Sequence, residues 1–436
     1  MSAPEPLLRQ LSITALWLLI VNGMVGAGIF GLPAEAARIA GAFSPWVFVI
    51  CAALMLPIIL CFAQLASHFR GTGGPMLYAA TAFGPMVGFQ AGWAFYVARL
   101  TAFAANLNLL VVTLGYFWPL AVEGPMRITL LFVTCAMFTL INVTGAKTAI
   151  GWLGALTVLK FLPLIGIIAF GLHRLDPAML TPVAAATTSS ADLGAAILLV
   201  IYAYVGFESG LVPAAEARRP QRDMPRALIG GLLMVSLLYA AVQAVCMAVL
   251  PDLAGTTQPV VEVAHALLGP TGAVILTAGI LASVGGNLLG SSFTTPRLTY
   301  RLALDGYLPR WLGAVHPRFK TPAWSIVAYG VLCFLLAAKG SFALLAGLSV
   351  LTRILLYLCC IGAIPRIRRQ LGADPAALRL PGGYTIPAIA ALICLALLTR
   401  VGGEAWLVTT GFLAAGTVLY YLARAARRAP QPALLP

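Results

Sequence analysis

Four ionisable residues lie inside otherwise apolar stretches of the chain: Arg99, Lys160, Glu208 and Arg353. In a hydrocarbon medium each such charge costs at least ~2.5 kcal/mol, so each demands a compensating partner or a role. Two glycine-rich segments are equally pointed. One apolar block holds Asn22-Gly23-Met24-Val25-Gly26-Ala27-Gly28-Ile29-Phe30-Gly31-Leu32-Pro33 near its middle. Another holds Tyr204-Val205-Gly206-Phe207-Glu208-Ser209-Gly210-Leu211-Val212-Pro213. Glycine weakens a helix by ~1 kcal/mol relative to alanine, so such clusters with a following proline predict unwinding. An unwound helix exposes amides on one side of the break and carbonyls on the other. Amides around Gly26, Ala27 and Gly28 begin the second half-helix and suit a carboxylate; Val25 adjoins them. Carbonyls around Ala203, Tyr204 and Val205 end the first half of the other helix and suit an ammonium group. A zwitterionic α-amino acid matches both ends at once. Replacing Gly28 by a bulky residue is then expected to abolish binding, as read by ligand affinity of the purified variant.

The elements that position these groups follow from composition. The chain has 436 residues, 61% hydrophobic and only 9% charged, with a mean hydropathy of +0.96. A water-soluble domain of this size needs far more charge on its surface, so lipid must cover this one. The apolar residues form long blocks such as Ala15–Phe30, Phe43–Ala66, Thr129–Ile141 and Leu193–Val205. A helix spans a membrane with ~20 largely apolar residues. The pattern predicts an all-α polytopic membrane protein with twelve spans, at about 11–40, 43–67, 84–118, 126–145, 149–172, 192–214, 226–250, 270–300, 322–338, 341–364, 384–400 and 405–424. Gly71–Pro75 reads as a cytoplasmic turn and Asp176–Asp192 as an external loop. The first block resembles a signal peptide with Ala34-Glu35-Ala36 as a cleavage site, but its length and the blocks that follow predict a retained span.

The net charge of +14 reports topology. Lys and Arg gather in alternate connections: Arg218, Arg219, Arg222 and Arg226; Arg297, Arg301, Arg310, Arg318 and Lys320; Arg366, Arg368, Arg369 and Arg379; and Arg424, Arg427 and Arg428. The connections between them carry little more than Arg38, Arg127, Arg174, Lys339 and Arg400. The positive-inside rule then puts both termini, 1–10 and 425–436, in the cytoplasm, with no nucleic-acid partner. The eight cysteines sit in apolar blocks without metal-ligand spacing, so they read as packing residues and no metal or cofactor is expected.

The interruptions fall in spans one and six. Five spans is an odd number, so a second copy beginning at span six is inverted in the membrane. Interrupted helices at matching places in inverted halves mark a transporter site. This predicts a first repeat over 11–172, a second over 192–364, and two further helices over 384–424.

The same residues carry a resemblance. Gly26-Ala27-Gly28-Ile29-Phe30 resembles the first-helix signature of the amino acid–polyamine–organocation (APC) superfamily, and Tyr202-Ala203-Tyr204-Val205-Gly206-Phe207-Glu208 its sixth-helix signature. Ala215–Ala227 resembles the family's acidic–basic loop, and Leu304-Asp305-Gly306-Tyr307-Leu308-Pro309 its loop after helix eight. The resemblance implies a five-plus-five inverted-repeat fold, alternating access, and an amino acid substrate held between helices one and six in a bacterial-type inner membrane. Ala27 stands where many relatives have serine, so a hydroxyl contact to the carboxylate is missing. The resemblance makes Tyr202 an aromatic lid over the substrate, with Phe207 beside it. It aligns Lys160 with a fifth-helix lysine that replaces a sodium ion, which implies proton coupling or pH-gated exchange; the alternative is a permanently charged tether between helices one, five and eight. It implies gating for Glu208, against a structural hydrogen-bonding role. Arg99 and Arg353 match no family position, and snorkelling or pairing with backbone carbonyls is expected of them.

Function classes separate on what the sequence holds. It has no Gly-x-x-x-x-Gly-Lys-Ser/Thr loop for nucleotide-driven pumping, and none of the hydrolase or zinc signatures of an enzyme. A receptor would bring a soluble signalling domain, and none is visible. Met24, Val25 and Phe30 beside the break favour a neutral side chain and thus a symporter or exchanger of neutral L-amino acids. A cationic amino acid or polyamine exchanger stands as the alternative, because Glu208 is the one acid near the proposed site.

Overall fold

The computed structural model describes residues 12–69, 74–144, 160–176, 190–211, 217–371 and 377–428. Among these the protein is built of α-helices with short 3-10 turns and no strands. In chain order they are α1 (Ile13–Met24), α2 (Gly28–Ala40), α3 (Ser44–His68), α4 (Gly74–Phe83), α5 (Pro85–Leu114), α6 (Gly124–Val143) and α7 (Phe161–Gly171). Then come α8 (Ser190–Tyr204), α9 (Pro220–Val249), α10 (Pro259–Leu304), α11 (Ala323–Lys339), α12 (Phe342–Leu371), α13 (Thr385–Leu398) and α14 (Gly403–Arg428). Eight helical stretches are long and apolar enough to cross a membrane, and four shorter apolar helices accompany them. Together with the apolar composition, this makes the chain a multi-pass membrane protein. Its outer faces agree: Leu237, Leu392 and Leu407 are among the most exposed side chains, a surface that hydrocarbon covers at no cost and water does not.

Both glycine clusters break their helices. The first span stops at Met24, runs as irregular backbone through Val25, Gly26 and Ala27, and resumes at Gly28. The helix α8 stops at Tyr204, turns through Gly206 at φ +108°, and continues as a 3-10 turn over Phe207–Gly210. The two breaks touch through bare backbone, because a Cβ on Gly23 or on Gly206 would overlap the other residue's carbonyl oxygen. Only glycine permits that approach. Around the crossing, α2 packs on α8, α1 on α9 and on the 3-10 turn, and α3 on α9. The largely buried α5 runs through the middle against α10 and α12.

Local differences from the sequence reading have physical reasons. The expected turn at 71–75 lies partly outside the described residues, and Gly74 at φ +47° starts α4. The basic loop over 215–227 is helical from Pro220, where proline at the first turn and Asp223 beside the positive helix end favour initiation. Pro259–Leu304 is two helices that meet at Gly269, whose φ is +65°; the second begins at Pro270, where a span was expected, and the shorter helix before it was not foreseen. Most of the expected external loop at 176–192, the first part of span five and residues 1–11 lie outside the described residues.

Candidate functional site

Three carbonyls at the end of α1 are engaged by side chains. Helices leave their last carbonyls without intrahelical donors, and here buried side chains supply them. Lys160 Nζ donates to Asn22 O at 3.1 Å, Asn22 Oδ1 at 2.5 Å and Val25 O at 2.8 Å. An ammonium carries three donors, so all three are used. Tyr239 OH donates to Met24 O at 3.0 Å. Lys160 is thus wired to helix one at the break, with no carboxylate among its hydrogen-bond partners.

Across the break the polar groups are open. The amides of Gly26, Gly28 and Ile29, at the positive end of α2, donate to no other described residue. The carbonyls of Tyr202, Ala203 and Tyr204, at the negative end of α8, accept from none. These two ends lie side by side: a Cβ on Gly28 would stand 2.8 Å from Ala203 Cα. That contact alters the meaning of the Gly28 substitution. A bulky residue there pushes α2 off α8, so lost binding reports the spacing of the half-helices rather than a carboxylate contact.

The expected amide trio is reduced by one. Ala27 N–H donates to Asn106 Oδ1 at 3.2 Å. Asn106, on α5, also donates from Nδ2 to Tyr202 OH at 3.4 Å. Asn287 on α10 approaches Gly26, its Nδ2 3.1 Å from where a Cβ would be. Asparagines from α5 and α10 therefore line the break, and neither was singled out from the sequence. A polar residue two or three turns inside an apolar block is the signal that could have found Asn106. Tyr202 stands beside this group, edge-on to Phe342 at 5.8 Å. Tyr204 and Phe207 point elsewhere. Tyr204 OH donates to Phe48 O at 2.8 Å, and Phe207 packs against Phe62 and Tyr357. Both side chains are fully buried, so only their backbone faces the break.

The charged groups just beyond the break form one cluster. Glu208 Oε2 accepts from Gly206 N at 2.7 Å. Its Oε1 accepts from Tyr357 OH and stands 3.2 Å from Arg353 Nε as an ion pair. Nothing of Glu208 is exposed, and Arg353 is 2% exposed. Arg353 also donates to Ala98 O at 3.2 Å, Ser349 O at 3.4 Å and Ser349 Oγ. Arg353 therefore combines the expected carbonyl contacts with an ion pair that snorkelling did not anticipate. Arg99 departs from expectation too. Its guanidinium binds hydroxyls, Ser209 Oγ at 2.8 Å and Thr295 Oγ1 at 3.5 Å. Among the described residues no group of three or more His, Cys, Asp or Glu side chains is arranged to hold a metal ion.

A family model described as amino acid permease matches residues 11–422. The chain belongs to the amino acid permease family. The match covers both interrupted helices and every residue of the break. This APC permease is similar to the branched-chain amino acid permease BcaP of Bacillus subtilis, at 27% identity over 97% of this chain and 94% of the relative. It is 26% identical to the methylthioribose transporter of the same organism, over 97% of this chain and 94% of the relative. The BcaP of Lactococcus lactis is 27% identical over 85% of this chain and 84% of the relative. Membership of that family makes it an amino acid transporter.

Proposed function

We infer that this permease carries a neutral α-amino acid by alternating access, with the substrate held at the two helix breaks. The observation that carries this is the pairing of open ends: amides at Gly26, Gly28 and Ile29 that donate to no described residue, beside carbonyls at Tyr202, Ala203 and Tyr204 that accept from none. Amides stabilise a carboxylate and carbonyls an ammonium, and an α-amino acid carries the two on one carbon. Val25, Gly26, Ala27 and Gly28 line one side, and Tyr202, Ala203 and Tyr204 the other; Asn106 and Asn287 add polar contacts, and Phe207 supplies packing behind the turn. A neutral side chain is favoured over a cationic one because Glu208 is already held by Arg353, Tyr357 and Gly206. The names of the branched-chain amino acid relatives agree with that choice.

Twelve crossings, with a first repeat over 11–172, an inverted second over 192–364 and two more helices, account for the breaks in spans one and six. The arginine-rich connections support cytoplasmic termini in a bacterial-type inner membrane. Lys160 couples a proton to transport. With three N–H groups it binds the end of α1 at three oxygens, and loss of a proton removes one of those donors and frees the break to move. Glu208 gates by holding the turn after the second break against α12.

Purified protein in liposomes, given a panel of amino acids with and without an inward proton gradient, tests this. Gradient-driven accumulation supports proton symport; uptake that requires internal amino acid means exchange. Lys160→Ala is expected to lower uptake more than about tenfold, since each charge-assisted bond contributes ~1.5–3 kcal/mol. Its residual uptake should no longer depend on pH. Full uptake with unchanged pH dependence in this variant would show Lys160 to be neither coupler nor tether.

A further inference from the structure

Arg99 is the one cation of the central cluster that the reading above leaves without a part. It lies near the middle of α5, half-buried, seven residues before Asn106. Seven residues are two helical turns, so both side chains leave the same face of α5, about 10 Å apart along its axis. Asn106 borders the space for the α-amino and α-carboxyl groups, and Arg99 is within reach of a side chain that extends from that space along the same face of α5, past Ser209 and Thr295. Its partners are neutral: Ser209 Oγ and Thr295 Oγ1. Thr295 continues into a hydroxyl series, with Ser291 Oγ at 3.4 Å and Tyr329 OH 3.1 Å beyond it. Among the described residues, two hydroxyls engage only part of the five N–H donors of the guanidinium. Tyr202, Tyr329, Glu208 and Arg353 are the titratable groups within its electrostatic reach. Glu208 is ion-paired with Arg353 and not with Arg99, so the three charges sum to one uncompensated positive charge beside the site.

We propose that Arg99 is the specificity residue of the side-chain subsite, a fixed positive charge that bars cationic amino acids and polyamines from the permease. This rests on the transport reading above. A fixed charge of the same sign a few ångströms from a substrate ammonium or guanidinium, away from bulk water, disfavours binding on the order of tenfold to a hundredfold. Neutral side chains are spared, because they carry no charge for the guanidinium to repel.

The test is uptake of labelled leucine, arginine and glutamate, each alone, into liposomes holding wild type, Arg99→Leu, Arg99→Gln or Arg99→Lys. The wild type is expected to take leucine and reject arginine. Arg99→Leu, or Arg99→Gln should the former fail to fold, raises the arginine-to-leucine ratio by about tenfold or more. Arg99→Lys keeps the charge and the rejection, which loss of a merely structural contact to Ser209 would not reproduce. An unchanged ratio in a neutral variant that still takes leucine overturns the filter and leaves the transport reading intact. A wild type that prefers glutamate overturns it as well, making Arg99 a binding contact for an anionic side chain. Failure of the wild type to take any of the three overturns the transport reading, and the filter with it.

Discussion

Substituting either member of the Glu208–Arg353 pair alone is expected to destabilise the protein by about 3–5 kcal/mol, the penalty for a buried charge stripped of its counter-ion. Both groups are sealed from solvent, so neither can recover hydration when its partner is lost. Arg353→Met leaves the Glu208 carboxylate with Gly206 N and Tyr357 OH alone. Glu208→Gln leaves the guanidinium with Ala98 O and the Ser349 atoms. The double substitution removes both charges and is expected to recover most of the loss, since well-packed neutral replacements of buried pairs are often no less stable. Thermal unfolding of the four proteins in one detergent checks this. Additive losses in the double variant would mean that the two residues act independently, against the geometry. The double variant is also informative for transport. If Glu208 gates by holding the turn to α12, the stable double variant leaks or exchanges without coupling while its Tm stays near that of the wild type.

Gly206→Ala is the second large effect. Gly206 sits at φ +108°, where a side chain costs of order 1–3 kcal/mol. The new methyl would also overlap the Gly23 carbonyl oxygen. That obstacle is backbone, tied to α1, so relief requires the two interrupted helices to separate. The variant is expected to lose uptake and to unfold at a clearly lower temperature. Gly285→Ala serves as the control: it lies in α10 with nothing within 4 Å of the added carbon, and alanine favours a helix. Equal behaviour of the two variants would remove the argument that the breaks cross backbone to backbone.

The legibility of this protein divides along the range of the forces involved. Its class was written locally: block lengths and a charged fraction of 9% leave lipid as the only covering, because each exposed leucine must meet a solvent and there are too few charges to make that solvent water. The positions of the breaks were local as well. Three glycines among residues 23–28, and two flanking Phe207–Ser209, weaken a helix wherever it packs, and the backbone stops at those segments. Family membership was readable from the same short motifs. Partnerships were not readable. Glu208 meets Tyr357 across 149 residues of chain, and Asn106 reaches Ala27 across 79. No periodicity encodes such pairs, since an ion in an apolar block states only that it needs a partner. Tyr204 and Phe207 show the converse: motif position set them beside the break, and rotation about the helix turned their side chains into the core. The sequence thus determined what kind of protein this is and where its helices yield. Tertiary structure alone decided which charges cancel, leaving Glu208 matched to Arg353 and Arg99 facing hydroxyls, because packing brings distant helices into contact and desolvation then forces each buried charge to settle with what it meets.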